Sequence, residues 1–162
     1  MSIPSLASVS LRDRATTVAL DCEYRGTDRQ FTFGEIDARS DRLASVLVGR
    51  GLAVGDRLAF YLANRLEIID LWLACAKLGI IVVPINVLYR DREIRHILDD
   101  AAPTAVVTTA AQLTEFPAGT TCWLVDELDA RADSAPPPPD PATTKPGRDP
   151  TAAPRHPSAP TA

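Results

Sequence analysis

Histidine is the side chain best suited to proton transfer near neutral pH, and this chain holds two, His96 and His156. His96 stands among Arg92, Glu93, Arg95 and Asp99. On a helix that spacing makes one charged, solvated face. No second histidine or cysteine lies near it at metal-ligand spacing. His156 falls in a proline-rich stretch and is expected to be free. Asp99-Asp100 and Glu127-Leu128-Asp129 are acidic pairs at expected element ends, and nothing in their setting marks a positioned acid–base pair. Cys22, Cys75 and Cys122 are odd in number, far apart and in no CxxC pair, which argues against a disulfide framework and a zinc site. Cys75, in an apolar run, reads as a small buried hydrophobe. The serines form no GxSxG elbow, and Trp72 and Trp123 read as core rather than as ligand platforms. The sequence therefore offers no catalytic, cofactor-binding or metal-ligating residue.

The elements that would position such groups are clearer. Ser5–Arg14 reads as a short leading helix. Thr17–Tyr24 reads as a strand and Arg25–Asp28 as a turn into Gln30–Thr32, a candidate hairpin. Thr32 and Glu35 have capping-box spacing, with Phe31 and Ile36 where a hydrophobic staple sits. Ile36, Leu43 and Leu47 recur at helical period, and Asp37, Arg39, Asp41 and Arg42 fall mostly on other faces. Gly51 suits a left-handed helix stop. A strand follows at Arg57–Leu62. Asn64 then caps a helix, with Glu67 three residues on. Leu66–Leu78 is apolar on most faces and should be largely buried. Gly79 closes it, and Lys77 suits the helix dipole in its last turn. Ile80–Ile85 is a β-branched run that fits a buried parallel strand. A third helix starts near Asp91, with Ile94, Ile97, Leu98 and Ala101 on one face, and Pro103 bars its extension. Ala105–Thr109 and Cys122–Val125 complete the strands. The fold class is α/β, a partial βαβαβ parallel sheet with flanking helices.

Composition divides the 162 residues in two. Ten of the 14 prolines lie between Pro136 and Pro160. Residues 1–133 read as one incomplete α/β subdomain, large enough to bury a core. Residues 134–162, without an aromatic or any aliphatic larger than alanine, read as a disordered tail. The net charge of −4, from 17 basic and 21 acidic residues, comes with no basic patch. That argues against nucleic acid and anionic membranes as partners. Glu67, Asp70, Lys77 and Gly79 interrupt the longest apolar stretch, so no membrane span is expected. The first residues have no basic start or sustained apolar run, so no secretory signal is expected. A cytoplasmic location follows by default.

Several segments together resemble the AMP-forming acyl-CoA synthetases. Phe31–Glu35 is similar to that family's "yTYaEL" segment, and Gly51–Ala59 to its "GVxxGDrVa" turn and strand. Asn64–Glu67 resembles its "N-x-x-E" helix start, and Ala74–Asn86 its "A-x-x-k-x-G-x-x-x-x-P-l-N" helix and strand. Glu93, Ile94, Ile97 and Leu98 fit the helix after it. The resemblance covers about residues 17–128 and implies the scaffold half of the family's large domain. It also implies a chemistry: ATP and magnesium convert a carboxylate to an acyl-adenylate, which the thiol of coenzyme A then attacks. The family's phosphate loop, ribose-binding acid, magnesium-binding glutamate and adenylation lysine lie further along its sequence. Thr143-Thr144-Lys145-Pro146-Gly147 is only faintly similar to its "TSGTTGxPKG" loop, without the strand and helix that would aim the loop's amides.

The resulting expectation is an N-terminal fragment of an ATP-dependent acyl-CoA synthetase, inactive alone and binding no cofactor by itself. The composition break after Asp133 points to truncation or a shifted reading frame. One alternative is a binding module whose exposed sheet edge docks on a partner chain bearing the missing catalytic part, as a split enzyme. Another is a truncated product without function. A small-molecule carboxylate would be the substrate only of a complete enzyme.

Overall fold

A computed structural model describes residues 13–134. The expected leading helix at Ser5–Arg14 and the expected tail at 134–162 lie almost wholly outside them. Strand β1 (Val18–Tyr24) pairs antiparallel with β2 (Thr27–Thr32). Arg25 and Gly26, at φ 53° and 77°, form the two-residue turn. Positive φ at both positions matches the strands' right-handed twist, so the turn is tighter than the four residues expected.

Helix α1 (Phe33–Gly49) starts at the capping box. The Thr32 hydroxyl accepts from the Glu35 amide at 3.2 Å, and the Glu35 carboxylate accepts from the Thr32 amide at 2.8 Å. Phe31 and Ile36 share a buried cluster, as a staple requires. Gly51, at φ 91°, ends the helix, with its amide on the Val48 carbonyl and that of Leu52 on Leu47. This is a Schellman closure.

The remaining strands form one parallel sheet in the order β4-β3-β5-β6. They are β3 (Arg57–Phe60), β4 (Ile81–Pro84), β5 (Ala105–Thr108) and β6 (Cys122–Leu124). Helices α2 (Leu66–Leu78) and α3 (Asp91–Ala101) are the first two crossovers. A 3-10 helix (Ala110–Glu115) connects β5 to β6, and α4 (Val125–Ser134) follows β6. The βαβαβ expectation holds. The sheet is covered on both faces. Leu58 and Phe60 of β3 join α1, α2 and α4 in the larger core. Ala59 and Tyr61 join Ile94 of α3 and Phe116 in the smaller one. Alternation along one strand thus feeds two cores.

Four sequence expectations need correction. Asn64 does not cap α2. The cap is Arg65, and Asn64 is exposed. From Arg65, Glu67 stands two residues on rather than three, so no capping box forms and Arg65 grips the Glu67 carboxylate at 2.8 and 2.9 Å instead. Helix α2 is not buried all round. Ile69 and Trp72 are 37% and 49% exposed, so Trp72 is not core. Lys77 does more than face its own helix dipole. Its ammonium donates to Asp37 Oδ1 at 2.6 Å and Ser40 Oγ at 2.8 Å, tying α2 to α1. Strand β4 is an edge, with Ile81 exposed. Both of its faces meet a core, which explains the apolar run. The amides of Ile81 and Ile85 donate to the carbonyls of Asp56 and Phe60 at 2.8 Å, so the backbone nitrogens of Val82 and Pro84 point away from β3, where proline has no N–H to lose.

Candidate functional site

The residues weighed for chemistry are scattered. His96, Asp99, Asp100 and Glu127 are exposed on α3 and α4. Trp123 is part-buried under the Arg50 guanidinium, 4.9 Å from its ring centroid. The cysteines are free, and burial pushes the Cys75 thiol up to about 12, which keeps it protonated and unreactive. Thr143–Gly147 and His156 lie outside the described residues. No helix among the described residues is long and apolar enough to cross a membrane. No three of their His, Cys, Asp or Glu side chains converge as a metal ion requires.

What the structure does bring together is a buried ionic cluster centred on Arg39. Its side chain is 9% exposed, between Asp70 of α2 at 3% and Asp129 of α4 at 9%. Arg39 Nε donates to Asp70 Oδ2 at 2.9 Å, and Nη2 donates to Asp129 Oδ1 at 3.0 Å. The Tyr24 hydroxyl donates to Asp129 Oδ2 at 2.9 Å, and Arg25 of the hairpin turn reaches the same oxygen. The guanidinium also lies over the rings of Tyr24 and Phe31, at 4.9 and 5.6 Å. Burying one cation between two carboxylates is tolerable only when each is paired.

Arg39 and Asp129 overturn two expectations. As a charged residue Arg39 is expected off the apolar face, yet it follows Ile36 by three residues and precedes Leu43 by four, so it lies on the same face. Asp129 reads from sequence as an unpositioned acid at an element end, whereas it sits inside α4. Its signal was the stripe Val125, Leu128 and Ala132, all buried.

The two carboxylates differ. Burial would raise Asp129, but hydrogen bonds from Arg25 and Tyr24 and the charge of Arg39 outweigh it and hold the carboxyl below the usual range. Asp70 has only Arg39, on one oxygen, and its buried Oδ1 has no partner. Burial therefore wins, and Asp70 is pushed up to about 6 despite Arg39, with Asp129 and Glu67 adding to the rise. The cavity beside it, lined by Leu43, Leu71, Leu128 and the charged groups, is the size of one water. That cavity is too small for a substrate. The arrangement serves as a clamp between α1, α2, α4 and the hairpin.

A pH dependence follows. The unfolded Asp70 titrates near 3.9, so between about pH 4 and 6 the folded chain holds the extra proton. Stability then falls as pH rises through that window, by roughly 2–3 kcal/mol. The lowered Asp129 acts in a separate window, losing its contribution below about pH 4. Urea midpoints should therefore be higher at pH 5 than at pH 7, and Asp70→Asn should flatten that slope. An unchanged slope in the variant would assign it elsewhere.

Solved structures share this architecture. An artificially fused adenylation–PCP di-domain NRPS, NpsA–ThdA from Klebsiella oxytoca, matches with a TM-score of 0.75 at 23% identity, over 86% of this chain and 26% of that one. The ATP-bound RpMatB–BxBclM chimera B1 matches with a TM-score of 0.60 at 31% identity, over 67% of this chain and 23% of that one. The Klebsiella oxytoca NpsA N-terminal subdomain matches with a TM-score of 0.64 at 26% identity, over 76% of this chain and 30% of that one, so the fold is that of part of an adenylation-domain N-terminal subdomain. Residues 9–161 match the AMP-binding enzyme family, and the chain belongs to it. The match runs beyond the 17–128 that carry the sequence resemblance.

Among its relatives, long-chain-fatty-acid–CoA ligase FadD13 of Mycobacterium tuberculosis is 36% identical over 137 residues, covering 77% of this chain and 27% of that protein. Crotonobetaine/carnitine–CoA ligase of Salmonella typhimurium is 34% identical over 98 residues, covering 60% of this chain and 19% of that protein. The chain spans about a quarter or less of the length of these relatives.

Proposed function

We propose that this chain supplies the N-terminal scaffold of an ATP-dependent acyl-CoA ligase and has no ligase activity by itself. The complete reaction joins a carboxylate oxygen to the α-phosphorus of ATP, with pyrophosphate leaving. The CoA sulfur then attacks the acyl carbon and AMP leaves. ATP, magnesium and CoA belong to the complete enzyme, the carboxylate is its substrate, and the setting is the cytoplasm. The fatty-acid–CoA ligases among the relatives support a fatty acid as the carboxylate.

The observation that carries this reading is how one buried and two part-buried cations are used. Arg39 is held by Asp70 and Asp129, Lys77 by Asp37 and Asp41, and Arg65 by Glu67 and Asp126. These cations are committed to fastening elements, not to meeting a polyphosphate. The test is acyl-CoA formation by the purified chain with ATP, magnesium, CoA and a panel of carboxylates. The expected result is background only, and carboxylate-dependent thioester formation would refute inactivity.

A split enzyme is the second reading. Exposed Ile69 and Trp72 on α2, with Ile81 on the open β4 edge, favour it. In that case a separate chain with the catalytic part would form a complex of one-to-one size. A chain that stays monomeric beside such a partner would exclude it, leaving the product without function as the remaining alternative.

A further inference from the structure

We propose that α4 is a detachable strap, keyed to the rest of the fold by charge and released by salt. All four of its carboxylates meet arginines from other parts of the chain. Asp126 pairs with Arg65 at 2.8 Å, Glu127 with Arg50 at 3.9 Å, Asp129 with Arg39 at 3.0 Å, and Asp133 with Arg25 at 2.9 Å. Those arginines come from the start of α2, the end of α1, the middle of α1 and the hairpin turn. The apolar seam is narrow by comparison, limited to Val125, Leu128 and Ala132.

The partners have second anchors that do not involve α4. Arg39 keeps Asp70, with Nε donating at 2.9 Å. Arg65 keeps Glu67 at 2.8 Å. The Tyr24 hydroxyl keeps Arg39 Nη1 at 3.3 Å. Arg50 keeps the face of Trp123, and the Arg25 side chain is 56% exposed. When α4 leaves, its carboxylates reach water, and Arg39 and Arg65 each keep an anion. Detachment thus avoids the penalty of an unpaired buried charge. The outer pairs, Arg65–Asp126, Arg50–Glu127 and Arg25–Asp133, each have at least one side chain more than a third exposed, so ions screen them.

Hydrogen exchange on the full chain tests this. Between about 0.05 and 1 M sodium chloride, the amides of α4 should lose about tenfold in protection while those of α2 hold. Arg25→Gln should give a similar loss in α4 alone at low salt. If α4 and α2 exchange in step at every salt concentration, or if α4 protection ignores salt, the strap does not exist. The salt series on the unaltered chain decides the matter even if the variant fails to fold.

Discussion

Replacing Arg39 with methionine is expected to cost about 3–5 kcal/mol of folding stability, because it leaves two carboxylates buried and unpaired. Methionine keeps much of the aliphatic volume, so the loss reports charge rather than a cavity. Asp70 at 2% and Asp129 at 8% exposure cannot reach water without movement of α2 or α4. Whole domains are stable by only about 5–15 kcal/mol, so the variant should sit near the edge of folding. Adding Asp70→Asn and Asp129→Asn should recover part of the loss, since the stranded charges go with the cation. Chemical denaturation of the single and triple variants makes the comparison. An Arg39→Met midpoint within about 0.5 kcal/mol of the parent, the usual range of a surface change, would show the cluster to be incidental.

Leu71→Ala should be nearly as damaging, at about 2–5 kcal/mol. Leu71 is fully buried in the larger core and lines the small cavity beside Asp70. Truncation there enlarges an existing void. Its neighbour Trp72 is larger, yet it stands half in solvent. Trp72→Ala should cost only about 1 kcal/mol, in keeping with a partly exposed site. The ratio between adjacent positions fixes which face of α2 is inward. If the two losses are equal, or Trp72→Ala is the greater, α2 is rotated from the orientation described.

That rotation is what the sequence of α2 could not give. A helix apolar on most faces shows no preferred direction, and only packing selects Leu71, Ala74 and Cys75 over Ile69 and Trp72. The start of α1 was legible because capping is local, with Thr32, Glu35, Phe31 and Ile36 sufficient to define it. Gly51 and Gly79 likewise marked helix ends, both with positive φ. Strand β4 misled for a physical reason: helices cover both faces of an edge strand as they would a central one, so the run of Ile and Val reads the same. The Arg39 cluster joins residues 31 and 90 positions apart. The helical spacing of Arg39 from Ile36 and Leu43 is local, but a charged side chain reads as solvated, and its partners depend on how three helices meet. Asp70, within an apolar helix, carried the other half of the signal.

The family places this chain in an adenylating architecture, and the central claim is that its described part fastens the scaffold together and does not hold the nucleotide. Titration of the full chain with magnesium–ATP, followed by calorimetry and by the melting midpoint, tests that most directly, because a ligand that binds only the folded state must raise the midpoint. No saturable heat and no midpoint shift are predicted. Saturable binding that raises the midpoint would contradict the account.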